Sequence, residues 1–259
     1  MDLKIAGKSA LVFGGSKGMG YATARQLALE GVHVVIAART ESTLQSASTQ
    51  LSQDCGLAVR HVVADITTAA GRQAALQACP APDILVTNAD GFPPGDFQDW
   101  DSETWHRALD LMMVGPIDMI RQVVDGMRAR RYGRIINIVS RSVKAPHAEL
   151  GLSNGARSGL VGFCGGLARQ TVRDNVTVNN VLPGAFDTDA QARHIQKLAL
   201  SQGDSVEAIR KSREAHNPAG RFGRPEEVGA LIAYLASDLA GYMTGQSLLI
   251  DGGEYPGIF

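Results

Sequence analysis

The chain has 259 residues, a formal net charge of −1 and 44% hydrophobic residues, a composition that excludes a disordered protein and allows a large core. A net charge near zero provides no field that would attract nucleic acid or an anionic membrane, so neither is expected as a partner. The three widely spaced cysteines form neither a disulfide framework nor a zinc ligand set, and no metal site is predicted. The first residues lack the apolar stretch of a signal peptide, and no apolar run approaches about 18 residues, which predicts a cytoplasmic protein.

Short apolar runs alternate with longer amphipathic stretches along the whole chain. β-branched strands that alternate with helices predict one α/β domain over residues 1–259, a Rossmann doubly wound parallel sheet of about seven strands with helices on both faces. The polar helical segment 185–218 follows the sixth strand and is predicted to be a substrate lid, with a plain surface helix pair as the alternative. The predicted strands are residues 9–13, 33–37, 58–63, 83–87, 134–139, 177–182 and 247–250, and the main predicted helices are residues 18–30, 41–53, 105–129 and 155–173.

The first predicted strand runs directly into a glycine-rich turn, Gly-Gly-Ser-Lys-Gly-Met-Gly, at residues 14–20. Glycines allow the backbone to turn tightly and to approach a pyrophosphate closely. The helix that follows presents free N–H groups and the positive end of its dipole to the phosphates. In this strand–turn–helix context the turn predicts a dinucleotide-binding site.

The end of the second strand bears on which dinucleotide binds. A site that prefers NAD(H) usually places Asp or Glu about 20 residues past the glycines, to hold the ribose 2′-hydroxyl. This chain has Ala38 and then Arg39 there, and it has Lys17 in the glycine turn. Two cations without a carboxylate suit a 2′-phosphate, so NADP(H) is the predicted cofactor and NAD(H) the alternative. The other interpretation is that both are solvated surface bases.

Further short motifs follow the glycine turn along the chain. They are Asp65, Asn88-Ala89, Ser140, Pro183-Gly184 with Thr188, the segment 220–227, and the segment 245–253. By these motifs and their order, the sequence resembles the short-chain dehydrogenase/reductase family over nearly its whole length, and its β-ketoacyl carrier-protein reductase-like members in particular.

The resemblance implies roles for residues around the cofactor. The glycines would cradle the pyrophosphate, Asp65 would hydrogen-bond the adenine, and Thr188 would hold the nicotinamide carboxamide. Three positions depart from the family pattern, since Phe13 stands for a threonine, Thr87 for an asparagine and Asp90 for a glycine. The implied cofactor-binding residues are Gly14, Ser16, Lys17, Gly18, Met19, Gly20, Arg39, Asp65, Ile66, Asn88, Ala89, Arg157, Pro183, Gly184, Phe186 and Thr188.

The catalytic positions depart much further. The family acts through an Asn, a Ser, a Tyr and, four residues after the Tyr, a Lys. At the corresponding positions this chain has Met112, Ser140, Ser153 and Arg157, so only the serine matches. The signature Ser-Asn-x-x-Arg at residues 153–157 is similar to that of a subgroup of reductase-like members, which suggests an alternative site rather than decay.

The substitutions remove the usual proton path. A tyrosine can be tuned down from a pKa near 10, whereas a serine hydroxyl is a much weaker acid. The charge of Arg157 is fixed, so it can hydrogen-bond the nicotinamide ribose but cannot relay a proton. We therefore predict a site of Ser140, Ser153 and Arg157 that polarises a substrate carbonyl, with water as the proton source. His147, in the loop after Ser140, is the alternative proton donor.

Three functions remain open at this point. The first is an NADP(H)-dependent oxidoreductase that acts on a carbonyl, alcohol or activated alkene of a small molecule. The second is a cofactor-binding protein without turnover, a sensor or a subunit, and the third is a redox-neutral lyase or dehalogenase-type enzyme. The intact glycine turn argues against the third. Because the long helices 105–129 and 155–173 are apolar on more than one face, and family members pair such helices, we expect a homotetramer, with a dimer as the alternative.

Overall fold

A computed structural model describes residues 1–258 and confirms the predicted fold as a single domain around a parallel sheet of seven strands in the order β3-β2-β1-β4-β5-β6-β7. The strands are β1 (Ser9–Phe13), β2 (His33–Ala38), β3 (Arg60–Val63), β4 (Ile84–Asn88), β5 (Gly133–Ile138), β6 (Val176–Pro183) and β7 (Ser247–Ile250). The α-helices of these residues are α1 (Gly18–Leu29), α2 (Glu41–Cys55), α3 (Ala69–Ala78), α4 (Ser102–Leu109), α5 (Gly115–Ala129), α6 (Gly151–Thr171), α7 (Asp189–Gln202), α8 (Val206–His216) and α9 (Pro225–Ala236).

Helices cover both faces of the sheet, and each face has its own buried apolar layer. Successive side chains of a strand point to opposite faces. Val12 of β1 accordingly packs in a layer with Leu27 of α1 and the apolar residues of α2 and α9. Its neighbour Leu11 packs on the other face, in a layer with Met119 of α5 and the apolar residues of α3 and α6. With both faces covered, the carboxyl edge of the sheet is the part left for a ligand.

A row of buried polar side chains crosses the central strands. Thr87 of β4 donates a hydrogen bond of 2.7 Å to Asn137 of β5, which donates one of 2.9 Å to Asn180 of β6. These three residues are also paired in strand register, Thr87 with Asn137 and Asn137 with Asn180. A slip of one residue would leave these buried groups without partners, so the row fixes how the strand ends align at the site.

The long helix predicted at residues 105–129 begins earlier and is interrupted. It consists of α4, a π-helical turn at Asp110–Val114, and α5. At Gly115 a Cβ would lie 2.8 Å from the carbonyl oxygen of Ile66, so the chain approaches the end of β3 closely at this point. Met112 in the π-turn is only 2% exposed and packs with Leu152 and Ala156 of α6. Such π-helical turns are frequent at functional sites.

Two further segments shape the region around the site. Helix α6 begins at Gly151 rather than at the predicted residue 155, and the ring of Trp100 occupies the space that a side chain at Gly151 would need. The segment 185–218 contains α7 and α8, so it is helical, as predicted. Within residues 1–258, no helix is both long and apolar enough to span a bilayer.

Candidate active site

A cavity of about 420 Å³ lies at the carboxyl edge of the sheet. It runs from the glycine turn past the ends of β2, β4 and β5 to the start of α7, which is where ligands bind in doubly wound folds. Most of the predicted cofactor residues line it, namely Gly14, Ser16, Lys17, Gly18, Met19, Arg39, Asp65, Ile66, Asn88, Ala89, Arg157 and Thr188.

Four predicted cofactor residues lie outside this lining and support it instead. Gly20 packs against the backbone of Gly14, so closely that any side chain there would collide with it. The ring of Phe186 is buried, and Gly223 leaves room for it. Pro183 ends β6, and the Gly184 N–H continues the pairing with β7 by donating to the Ile250 carbonyl at 2.9 Å.

The glycine turn has the shape of a phosphate cradle. Gly14 and Gly18 have φ angles of 64° and 55°, in the left-handed region that favours glycine. A Cβ at Gly14 would also lie 2.6 Å from the amide nitrogen of Asn88. The turn therefore requires glycine for its own geometry, and its bare backbone is open to a pyrophosphate at the start of α1.

The two predicted cations line the cleft, but each has a carboxylate close by. A terminal nitrogen of Arg39 lies 3.5 Å from Oδ2 of Asp90, and Nζ of Lys17 lies 3.8 Å from Oδ2 of Asp189. The prediction of two cations without a carboxylate holds for the end of β2 but not for the folded cleft, because Asp90 comes from the end of β4. All four side chains are largely exposed, so these ion pairs are weak and a phosphate can displace them.

Asp65 is held in a fixed orientation at the end of β3. One of its oxygens, Oδ1, accepts hydrogen bonds from the backbone N–H and from the hydroxyl of Thr67, at 2.9 and 2.8 Å. The residue lines the cleft, and the structure gives its other oxygen no partner within residues 1–258. That free oxygen is suited to an exocyclic amine, the donor that an adenine offers.

Arg157 is 6% exposed and ties together the strand ends behind the cleft. Its Nε donates to the hydroxyl oxygen of Ser153 at 3.1 Å, and one terminal nitrogen donates to the carbonyls of Ile138 and Val139 at 3.2 and 2.9 Å. The other terminal nitrogen donates to the carbonyl of Ala89 at 3.0 Å. Four of the five guanidinium N–H groups are therefore used inside the protein, and one remains for a ligand.

The electrostatic state of Arg157 follows from its surroundings. Burial lowers the pKa of the guanidinium to about 10, and the nearby carboxylate of Asp90 partly opposes that shift. The side chain is therefore still charged at neutral pH. A buried cation that is bonded to carbonyl dipoles polarises the hydroxyl it touches, because the local dielectric is low.

The two predicted catalytic serines are arranged differently. Ser153 is 6% exposed, and its oxygen accepts from Arg157, which leaves the hydroxyl hydrogen free to donate. Ser140 caps the short turn after β5, since its oxygen accepts from the N–H of Ser142 at 3.1 Å. In each serine the oxygen is fixed by a bond from the protein, and neither side chain is part of the lining of the cavity, which Arg157 reaches.

The remaining catalytic position contributes no polar group. Met112 points into the apolar cluster with Leu152 and Ala156, whereas its neighbour Leu111 lines the cleft.

His147, the predicted alternative proton donor, lies in an exposed loop, and its carbonyl accepts from the side chain of Asn154 at 2.8 Å. Its role stays a prediction.

Sequence reasoning missed several residues that line the cleft. Asp90 and Asp189 each directly follow a predicted residue at the carboxyl edge of the sheet, and Arg193 lies one helical turn beyond Asp189. The rule that ligands bind at strand ends would have included the first two. Leu111 carried no such signal, because its exposure to the cleft depends on the π-turn. Among residues 1–258, no group of three or more His, Cys, Asp or Glu side chains is arranged to hold a metal ion.

Comparison with known proteins finds reductases that match nearly the whole chain. A family model described as Enoyl-(Acyl carrier protein) reductase matches residues 14–254. The 3-oxoacyl-[acyl-carrier-protein] reductase FabG of Vibrio cholerae is 33% identical over 260 residues, covering 98% of this chain and 99% of that protein. L-sorbose reductase of Gluconobacter frateurii, solved with NADPH and L-sorbose, has a TM-score of 0.95 and 30% identity with full coverage of both chains. YwfH, an NADPH-dependent reductase of bacilysin biosynthesis, has a TM-score of 0.90 and 28% identity, covering 97% of this chain and 99% of that one.

The fold, the glycine cradle and these similarities define a nucleotide-dependent oxidoreductase of the doubly wound α/β class. The chain belongs to the short-chain dehydrogenase/reductase family.

Proposed function

We propose that this protein is an NADP(H)-dependent oxidoreductase that acts on a carbonyl, alcohol or activated alkene of a small molecule through a non-standard site of Ser140, Ser153 and Arg157. When bound, the nicotinamide supplies or accepts the hydride. The protein's own residues must then orient the substrate oxygen and stabilise the charge that develops on it.

The observation that carries this proposal is the 3.1 Å hydrogen bond from Arg157 Nε to the Ser153 hydroxyl oxygen. Because the oxygen accepts from a buried cation, the O–H is a stronger donor than that of a free serine. Such a donor stabilises a developing alkoxide by position and polarity, without a titrating group. The proton that neutralises the alkoxide then comes from water.

The test is turnover with purified protein. NADPH is titrated by its fluorescence, and oxidation of NADPH is then followed at 340 nm with ketones, diketones and enones, each at several concentrations. Reduction of at least one class, and its loss in Ser153→Ala, supports the proposal. Tight NADPH binding with no turnover on any class contradicts it.

A cofactor-binding protein without turnover is the second candidate. The observation that favours it is the use of four Arg157 N–H groups within the protein. In addition, Met112 is buried in an apolar cluster and only the apolar Leu111 of the same turn lines the cleft. Such a centre binds a nucleotide but moves no proton. The titration and the substrate screen together distinguish the two candidates.

We base the cofactor preference on Arg39, whose guanidinium lines the cleft at the end of β2 and lies 3.5 Å from the carboxylate of Asp90. We expect NADP(H) to bind about tenfold more tightly than NAD(H), a difference of about 1.4 kcal/mol. Arg39→Ala removes this preference and leaves NAD(H) affinity nearly unchanged, as calorimetry with both cofactors would measure. Asp90→Asn is the matched variant, because it removes the carboxylate that competes for Arg39 and should strengthen NADP(H) binding. Equal affinity for the two cofactors in the unaltered protein would contradict the proposal.

The predicted homotetramer has a candidate contact on α6. Phe163 is 38% exposed on this helix, and a Cβ at Gly162 or Gly166 would meet no atom within 4 Å. An open apolar face of this kind is typical of a contact between subunits. Light scattering should give about four times 27.4 kDa, and Phe163→Glu should lower that mass. Leu200→Glu, at an 85% exposed position of α7, is the control that should leave the mass unchanged.

A further inference from the structure

The start of helix α7 forms part of the wall of the cofactor cleft. Its N-cap Thr188, its first residue Asp189 and Arg193 line the same cavity of about 420 Å³ as the glycine turn. A Cβ at Gly18 would lie 3.4 Å from Cγ2 of Thr188, and Nζ of Lys17 lies 3.8 Å from Oδ2 of Asp189. The start of α7 therefore lies directly against the turn that is open to a pyrophosphate.

Four cations and three carboxylates line this cavity, and all but one of these charged groups already have a partner in the protein. Lys17 and Arg39 each lie close to a carboxylate. Arg157 donates to backbone carbonyls and to a hydroxyl, and Asp65 accepts from Thr67. Among the charged groups of the lining, only Arg193 forms no ion pair and no side-chain hydrogen bond within residues 1–258.

Arg193 is free although an acid lies one turn before it. Asp189 and Arg193 are four residues apart in α7, a spacing at which side chains on a helix are neighbours. The Asp189 carboxylate lies near Lys17 instead, which offsets the repulsion that this acid would exert on a phosphate. The exposed guanidinium of Arg193 therefore keeps all of its N–H donors for a ligand in the cavity.

We propose that Arg193 binds the pyrophosphate of the dinucleotide together with the glycine turn, so that the cofactor links helix α7 to the start of α1. Each phosphate of a pyrophosphate carries a negative charge, and a guanidinium matches it with parallel N–H donors. The glycine turn offers backbone N–H groups and a helix dipole, but its own cation, Lys17, is shared with Asp189. The inference rests on the cofactor part of the proposed function and not on turnover.

The link acts on a part of the protein that packs separately from the two main apolar layers. Ile195 and Ala199 of α7 and Ile209 of α8 form a small buried cluster with Phe222. A segment with few buried apolar contacts opens locally at a low cost in free energy. A cofactor that is bonded to Arg193 should therefore slow the opening of α7.

The test measures the binding of NADPH, NADH and ADP-ribose by calorimetry, since all three carry the pyrophosphate and only NADPH carries the 2′-phosphate. Arg193→Gln should weaken all three about tenfold, because it removes a charged donor that acts on the shared group. Arg193→Lys should keep part of the affinity, since lysine retains the charge without the planar fork. Lys197→Gln is the matched control, because it makes the same change of charge one turn further along α7, at an exposed position outside the cavity lining. It should leave all three affinities unchanged.

The pattern across the three ligands decides the outcome. A loss confined to NADPH would place Arg193 at the 2′-phosphate, and a loss that spares ADP-ribose would place it at the nicotinamide. Either result, or unchanged affinities in Arg193→Gln, overturns the proposal. Binding of all three ligands without turnover on any substrate would leave this inference intact while contradicting the proposed oxidoreductase function.

Hydrogen exchange provides a readout that is independent of affinity. At saturating NADPH, exchange of the α7 amides should slow in the unaltered protein and in Lys197→Gln, but much less in Arg193→Gln. Equal slowing in the two variants would overturn the link between the cofactor and α7. Thermal melting of each variant verifies that it is folded.

Discussion

Arg157→Met should lower the free energy of unfolding by about 2–3 kcal/mol and weaken NADPH binding about tenfold. The substitution leaves three backbone carbonyls and the Ser153 hydroxyl without their donor, and each buried unsatisfied group costs about 1–3 kcal/mol. The net loss of stability is smaller than the sum of these costs, because burial of the cation is itself unfavourable, as the lowered pKa of Arg157 indicates. The segments that follow β4 and β5 lose the side chain that bonds to both of them, so the cleft loses part of its shape.

Thermal and urea unfolding measure the first effect, and a loss of this size corresponds to a fall of about 4–12 °C in Tm. Arg157→Lys should give an intermediate loss, because an ammonium has three N–H groups and no planar fork. Arg169→Met is the control, since Arg169 is an exposed residue of the same helix. A melting temperature of Arg157→Met within about 1 °C of the unaltered protein would show that the guanidinium does not hold the strand ends together.

The fold and the nucleotide end of the site are predictable because local patterns encode them. The alternation of apolar strands with helices set the sheet, and the glycines at residues 14–20 require the left-handed angles that Gly14 and Gly18 adopt. Strand ends then place Asp65 and Asn88 at the same edge. None of these inferences depends on which distant residues meet.

The catalytic part of the site depends on contacts between residues that are far apart in the chain, and sequence patterns do not predict such contacts. Asp90 lies beside Arg39 although 51 positions separate them. The contact between His194 of α7 and Arg213 of α8 likewise depends on how these two helices pack. The π-turn at Asp110–Val114 turns Leu111 rather than Met112 to the cleft, and no periodic pattern marks such a turn. Arg157 donates to backbone carbonyls because it is buried. Its match to the lysine position of the family pattern does not predict this burial.

Ser153→Ala should lower kcat about 10²-fold while the affinity for NADPH stays nearly unchanged. The variant removes a donor that acts on the developing alkoxide, and the loss of one such donor typically costs this much in kcat. NADPH fluorescence titration and steady-state kinetics on the substrate found in the screen measure the two quantities. Ser153→Thr keeps the hydroxyl and should recover part of the rate. Ser158→Ala, at an exposed position of the same helix, is the control.

The pH profile distinguishes polarisation from proton transfer at this site. Neither a serine hydroxyl nor a guanidinium titrates near neutrality, so kcat should be flat from about pH 7 to 9. The guanidinium donates while it is charged, and its pKa is about 10, so the rate should fall as the pH rises through that value. Loss of the rate in His147→Ala would instead point to His147 as the proton donor.

Restoring the family pair by Ser153→Tyr with Arg157→Lys should give little ordinary ketoreductase activity. The tyrosine supplies an acid whose pKa can be tuned, but the segment that faces it contributes only Leu111, and Met112 is buried against Leu152. A proton taken from the tyrosine therefore has no polar chain through which to be replaced, and the lysine leaves carbonyls of β5 unbonded. Reduction of simple ketones by the double variant at a rate equal to that of the unaltered protein on its own substrate would show that the polarising pair is dispensable. Ser153 would then be a remnant of the tyrosine position rather than the donor around which this site is organised.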